Sequence, residues 1–253
     1  MGIQDRKKRQ LAEREQFFLD RAWAMIERDG VLKLQMARLA SECEYAVGTL
    51  YLHFSSKEDL LVALATRTVS KRMSYYERAF TWQAPTRERM LAVIVADVLF
   101  AQSSPEYFRL AQYVSTHTIW MAASEQRRAE ALAASTPLGE GIVAIVNEAV
   151  AAGEVPDLGL SGYELIGGLW AMTEGMHALV SATGLLEAHP LPHPYRLLLR
   201  QAHALLNGWG WQSEVPLDAV EQQQQLLVKI LTEVFPEVSL AECSASAETT
   251  TEK

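Results

Sequence analysis

Residues 45–61 read YAVGTLYLHFSSKEDLL, and the reading of this stretch decides the rest. Its second half, SSKEDLL, is a helix start: Ser55 with Glu58, or Ser56 with Asp59, fits a capping box in which a hydroxyl accepts from an early backbone N–H and the acid reaches back. A long helix is therefore expected from about residue 56 to residue 80. Its first half is a short helix at about 46–52, and a tight turn joins it to another short helix at about 36–43 with Met36, Leu39, Ala40 and Cys43 on its apolar side. Two short helices joined so closely are a helix-turn-helix candidate. Such a pair crosses steeply, so it needs a small residue at the crossing and an apolar one to lock it, and Ala40 and Leu50 supply them. Tyr45, Leu50 and Phe54 are expected to face a core made with Phe18, Ala22 and Ile26, which leaves Val47, Gly48, Thr49, Tyr51 and His53 pointing outward.

That outward set suits a DNA duplex. Thr49 can hydrogen-bond a phosphate or base edge while its methyl touches a thymine methyl, and Tyr51 and His53 can donate to phosphates. Gly48 lets the helix start approach closely, and Lys57 adds a charge beside the positive end of the next helix. A plain helical hairpin with solvated polar residues fits the same spacing.

Residues 17–61 resemble the DNA-binding domain of the tetracycline-repressor (TetR) family of bacterial transcriptional regulators. FFLDRAWAMIERDG resembles its first helix, and LASECEYAVGTLYLHFSSKEDLL is similar to its signature at Leu39, Ala40, Gly48, Thr49, Leu50, Tyr51, His53, Phe54, Ser56, Lys57 and Leu60. The resemblance implies a dimeric regulator that binds double-stranded DNA at an operator, with an all-helical ligand-binding and dimerising domain after residue 70 or so. The chain departs from the pattern where Glu44 replaces the usual turn glycine and Ala46 the usual Ser or Thr cap. Each change costs about 1 kcal/mol. Leu34-Gln35 replaces a phosphate-binding Thr, although Gln35 can still donate, and Glu42 and Glu44 place negative charge near the duplex.

Working outward, apolar spacings of 3 and 4 recur along nearly the whole chain and no hairpin-bounded alternation occurs, so an all-α fold is expected. A first helix at about 7–29 carries the stripe Leu11, Phe18, Ala22, Met25 and Ile26, and Gly30 ends it. Later helices are expected at about 86–102, 105–134 with a break near 115–123, 138–152, 161–183, 194–209 and 217–235, with Pro85, Pro105, Pro137 and Pro216 among their starts. The expected domains are a basic, flexible arm (1–10), the helix-turn-helix domain (11–60), the effector-binding and dimerisation domain (61–236) and a disordered tail (237–253). Residues 1–72 hold 13 Lys and Arg against 10 Asp and Glu, while the remainder holds 10 against 21. A small basic module precedes a larger acidic one, with Arg6, Lys7, Lys8 and Arg9 either following phosphates or merely solubilising the chain.

The helix at 161–183 is apolar almost all round, which calls for burial on several sides. Its small row, Gly168, Ala171, Gly175 and Ala178, admits a close partner helix, and the helix at 194–209 carries the matching Leu198, Ala202, Leu205 and Trp209. The family resemblance makes these two helices a homodimer interface, spacing two reading heads about 34 Å apart, and the helix at 217–235 is expected to support it. Without the resemblance they read equally as intrachain core. For a ligand pocket, Tyr107, Tyr113, His117 and Trp120 with Trp170, Thr173 and His177 combine apolar bulk with polar tips, as pockets and ordinary cores both do.

Cys43 and Cys243 are too few and too far apart for a disulfide framework or a zinc cluster, and no metal, cofactor or catalytic residue is expected. His177 with Glu174 is a local contact, and HPLPH at 189–193 lacks metal spacing. With no secretory signal and every apolar run interrupted short of about 20 residues, a cytoplasmic protein that contacts no membrane is expected. The expected function is a ligand-responsive DNA-binding regulator, a repressor released from a palindromic operator by a small, fairly apolar effector. The alternative is a helical small-molecule-binding protein whose helix-turn-helix no longer reads DNA.

Overall fold

The computed structural model describes residues 3–240 apart from 183 and 190, and the described residues contain helices and no strand. Contacts divide them into two units. One holds the residues up to Ser70 together with Glu106–Ser135; the other holds Lys71–Pro105 and the residues from Thr136 on. This division falls beyond the expected boundary at 60 and draws residues 106–135 into the N-terminal unit.

In the first unit, α1 (Ile3–Asp29) precedes a 3-10 turn (Val31–Lys33), α2 (Met36–Glu42), α3 (Val47–Tyr51) and the start of α4 (Lys57–Thr81). Phe18, Ala22, Met25 and Ile26 form the buried stripe of α1, while Leu11 is 44% exposed and stands outside the core. Gly30 ends the helix at φ +83, a conformation open to glycine without steric cost. The described part of the expected basic arm is the first turns of α1. Nothing in residues 3–10 breaks a helix, and an i, i+4 pair of Arg9 with Glu13 supports it. Leu50 and Phe54 close onto Phe18, Leu39, Leu60 and Leu61. From later in the chain, α6 (Pro105–Val114), α7 (His117–Ala122) and the first turns of α8 (Glu125–Ala151) add Leu110, Val114 and Ile119 to the same cluster, and Tyr107 stacks on Trp23 at 3.6 Å.

Pro137 lies inside α8 and does not end it. A proline removes one hydrogen bond to the residue four positions back, here Ala133; both residues are exposed, which leaves the freed carbonyl open to solvent. The unbroken helix is, by length and composition, apolar enough to cross a membrane, contrary to the expectation from interrupted runs. Ile145, Val146 and Ala149 of α8 pack into the core of the second unit.

That core is built on α5 (Thr86–Ser103), which buries Met90, Leu91, Ile94, Val95, Val98 and Leu99 and is enclosed on all sides. Around it stand α9 (Gly162–Ser181), the short α10 (Leu185–Ala188), α11 (Pro194–Gly208) and α12 (Val220–Val234). A capping box starts α9, with Ser161 Oγ accepting from the Glu164 N–H and the Glu164 carboxylate accepting from Ser161. Within the single chain α9 buries one side, Leu165, Ile166, Leu169, Thr173, Met176 and His177, and its small row faces solvent. The helix α12 packs on α5 through Leu227, Ile230 and Leu231, while Val220 and Val228 on the same helix, and Leu217 just before it, are exposed. Its fastening is polar: Lys229 Nζ donates to Glu88 Oε2 at 2.6 Å and Trp82 Nε1 to Glu233 Oε2 at 3.0 Å. Of the expected tail, Glu237 pairs with Arg78 and Val238 and Leu240 pack on the core; residues 241–253, with Cys243, lie outside the described residues.

Candidate functional site

The helix α3 is held from one side. Leu50 is fully buried, and the main chain of the turn is tied by the Tyr45 N–H donating to the Ala40 carbonyl at 3.0 Å. Glu44 adopts φ 60, the left-handed turn conformation expected at that position, and Ala46 precedes α3 with no side-chain cap bond. Tyr45 is shared between core and solvent, its ring edge-on to Phe18 at 5.2 Å and 39% exposed.

Val47, Gly48 and Tyr51 are exposed and Thr49 is half-exposed, so these four form the outward face. Gln35 is exposed at the start of α2, where its side chain makes no cap bond, and Lys57 opens α4. Glu42, expected to repel a duplex, accepts from Arg28 at 2.8 Å and Arg38 at 3.2 Å, which offsets its charge.

His53 does not join this face. Its side chain is 3% exposed, with Nδ1 3.7 Å from Glu15 Oε2 and the ring edge-on to Phe18 at 5.3 Å. The helix ends at Tyr51, so the helical rotation that would carry residue 53 outward does not continue. Arg127 fixes the turn by donating to the His53 carbonyl at 3.0 Å and pairing with Glu15 at 2.9 Å.

The start of α4 is made by the second of the two possible caps. Ser56 Oγ accepts from the Asp59 N–H at 3.0 Å, and Asp59 reaches back one residue further than expected, to the Ser55 N–H at 3.1 Å. Asp59 Oδ1 also accepts from the Ser124 N–H at 2.7 Å. Burial would raise the Asp59 carboxyl, but the donors from Ser55 and Ser124 hold it below its ordinary value.

The seven residues expected to line a ligand pocket fall in both units. Tyr107, Tyr113 and Trp120 pack on the first core and His117 is exposed. In the second unit Trp170 is 66% exposed, and the Thr173 hydroxyl is spent on the Leu169 carbonyl at 2.9 Å. His177 is buried in a polar cluster: Nε2 lies 3.2 Å from Asp97 Oδ2 and Nδ1 3.1 Å from the Tyr195 hydroxyl. Arg72 donates to the other oxygen of Asp97 at 2.9 Å and stands 3.5 Å from Glu174, so Glu174 serves Arg72 rather than a dyad with His177. Burial alone would raise the Asp97 carboxyl; the Arg72 guanidinium and the His177 ring hold it well below the carboxylate range.

None of the seven lines the cavity of the second unit. That cavity, about 480 Å³, lies between α5, α11 and α12, with Leu191, Pro192 and His193 also in its lining. Its walls are mainly apolar, with Leu91, Val95, Leu227 and Ile230 among them, and Arg196, Arg200 and His203 supply polar atoms. In sequence, the available signal was Arg196 and Arg200 one turn apart in a domain otherwise rich in acids.

The expected dimer-interface residues separate likewise. Gly168, Ala171, Gly175 and Ala178 form an exposed stripe along α9, flanked by the exposed Trp170 and Leu179. Leu205 and Trp209 are half-buried, whereas Leu198 and Ala202 are wholly buried in the chain's own core and are not available to a partner. They lie on the side of α11 that packs against α5 and α9.

Residues 18–64 match the family described as bacterial regulatory proteins, tetR family. An uncharacterized HTH-type transcriptional regulator of Haemophilus influenzae is 35% identical over 92 residues, 36% of this chain and 49% of that protein. The chain spans about half or less of the curated relatives it matches. Among solved structures, a protein of unknown function from Rhodococcus sp. RHA1 has a TM-score of 0.59 at 26% identity, covering 78% of this chain and 95% of the other. The transcriptional regulator FadR from Bacillus subtilis, in complex with stearoyl-CoA, has a TM-score of 0.52 at 18% identity, covering 79% and 98%.

Proposed function

We propose that this chain, which belongs to the tetR family of bacterial regulatory proteins, is a cytoplasmic DNA-binding transcriptional regulator: a repressor that holds a palindromic operator as a homodimer and leaves it when a small, largely apolar effector binds. The observation that carries this reading is the outward face of α3, Val47, Gly48, Thr49 and Tyr51, standing free on a helix anchored by Leu50. Gln35 and Lys57 flank it as phosphate donors.

Dimerisation is supported by the exposed small stripe of α9, since a row of Gly and Ala ending in solvent lets a second helix approach closely. Effector binding is supported by the second-unit cavity, whose volume falls in the range of about 300 to 1,000 Å³ usual for ligand sites. FadR, a protein of similar fold, was crystallised with an acyl-CoA. The mechanism is a population shift: the effector binds the DNA-incompetent arrangement of two reading heads more tightly than the competent one. The long helix α4, which contributes residues to both units, is the element through which the effector acts.

The test is duplex binding by fluorescence anisotropy across salt concentrations. Lys57→Ala is expected to weaken every sequence alike and to lower the salt slope by about one, whereas Thr49→Ala changes the order of sequence preference. Equal, sequence-blind losses contradict base readout by Thr49. The uncapped Ala46 favours a second reading, a small-molecule-binding protein that no longer reads DNA, and salt-insensitive, negligible duplex binding would select it.

A further inference from the structure

We propose that the cavity between α5, α11 and α12 binds a straight-chain carboxylate, with its chain against Leu91, Val95, Leu227 and Ile230 and its head between Arg196 and Arg200. The proposal deepens the effector reading above, since it takes this cavity as the effector's site, but binding at the cavity needs no DNA.

Charge selects the head group. The ionisable residues lining the cavity are His193, Arg196, Arg200 and His203, and no acid is among the lining residues. This is unexpected in a region that carries 21 Asp and Glu against 10 Lys and Arg. Arg196 and Arg200 lie at i and i+4 on α11, both exposed, and neither makes an ion pair among the described residues. Like charges one turn apart repel, and an anion between them removes that repulsion. Two guanidinium forks match the two oxygens of a carboxylate.

The inner end is electropositive too. Buried His203 is backed by Arg87, itself 3% exposed, whose hydrogen-bond acceptors are the neutral Asn207 Oδ1 at 2.6 Å and the carbonyls of Trp211 and His203 at 3.2 and 3.4 Å; the Glu214 carboxylate acts on this guanidinium but is not among the residues lining the cavity. Such a field disfavours a cationic amphiphile. The apolar walls set the body: each methylene buried there tightens binding about three- to fourfold until the space is filled.

The experiment is calorimetric titration of the full chain, without DNA, with hexanoate, octanoate, decanoate and dodecanoate below their micellar concentrations, and with dodecanol and dodecyltrimethylammonium. Affinity is expected to rise with carboxylate length, with dodecanoate at least about tenfold tighter than dodecanol and no measurable binding of the cation. The double variant Arg196→Gln/Arg200→Gln, exposed at both positions and checked for unchanged thermal unfolding, is expected to bind dodecanoate no better than dodecanol. Equal affinities for dodecanoate and dodecanol in the unaltered chain, or undiminished dodecanoate binding by the double variant, overturn the proposal. A duplex titration with and without dodecanoate separates the two readings: dodecanoate binding that leaves duplex affinity unchanged overturns the effector reading and supports this site.

Discussion

His177 Nε2 and Asp97 Oδ2 lie 3.2 Å apart, joining α9 to α5 in the core of the second unit. His177 Nε2 meets the Asp97 carboxylate and Nδ1 meets the Tyr195 hydroxyl at 3.1 Å, so both ring nitrogens have a polar partner. Arg72 completes the cluster from α4.

Removing one member of a buried charge pair leaves the others uncompensated, at about 3 to 5 kcal/mol. Asp97→Ala is therefore expected to lower unfolding stability by at least about 3 kcal/mol in urea titrations at pH 7. Because the carboxyl is held below its unfolded value, this contribution is present above about pH 4 and is lost as the solution is acidified further. A loss under about 1 kcal/mol would show that the cluster is not a stabilising pair.

Glu44 pays the steric penalty of φ 60 without a glycine. Glu44→Gly is expected to raise stability by about 0.5 to 1 kcal/mol, measured as a shift in the denaturation midpoint, and to strengthen duplex binding by removing an exposed acid near α3. Unchanged stability would show that the turn relaxes around the side chain.

How much of this was legible in sequence follows from the range of the forces involved. The α2–α3 turn, the left-handed Glu44, the missing cap at Ala46 and the start of α4 are set within a few residues, and all were readable. A helical rotation continued past Tyr51 puts the His53 side chain outward, whereas α3 ends at Tyr51 and the side chain is buried. Pro137 reads as a boundary in sequence, because nothing local reveals that the carbonyl of Ala133 is open to solvent. Leu198 and Ala202 share the apolar character of Leu205 and Trp209; which side of α11 faces inward depends on α5 and α9, elements about 100 and 25 residues away by chain position. The cavity lies still further from local signals, for it exists only where α12 meets α5 and α11.

The exposed stripe of α9 predicts a surface where charge breaks assembly but not folding. Ala171→Glu is expected to give a monomer in analytical ultracentrifugation, with unchanged helicity, and to weaken operator binding at least about tenfold, because two heads no longer bind together. A variant that stays dimeric would place the interface elsewhere.

Burial, and next the neighbouring Arg87, push the His203 imidazole down to about 4. A histidine lowered on folding binds fewer protons in the folded state, so stability is expected to fall as pH drops from about 6.5 towards 4. His203→Gln should flatten that part of the pH profile of thermal unfolding. A profile identical to that of the unaltered chain would show that His203 is not its source.

The central claim is that paired copies read DNA through the face bearing Val47, Gly48, Thr49 and Tyr51. Repeated selection of the purified protein on a pool of random-sequence duplexes in low salt tests it most directly. The account predicts enrichment of an inverted repeat with half-sites about one helical turn, roughly 10 base pairs, apart. A pool that remains random after selection, with no duplex retained, would contradict it.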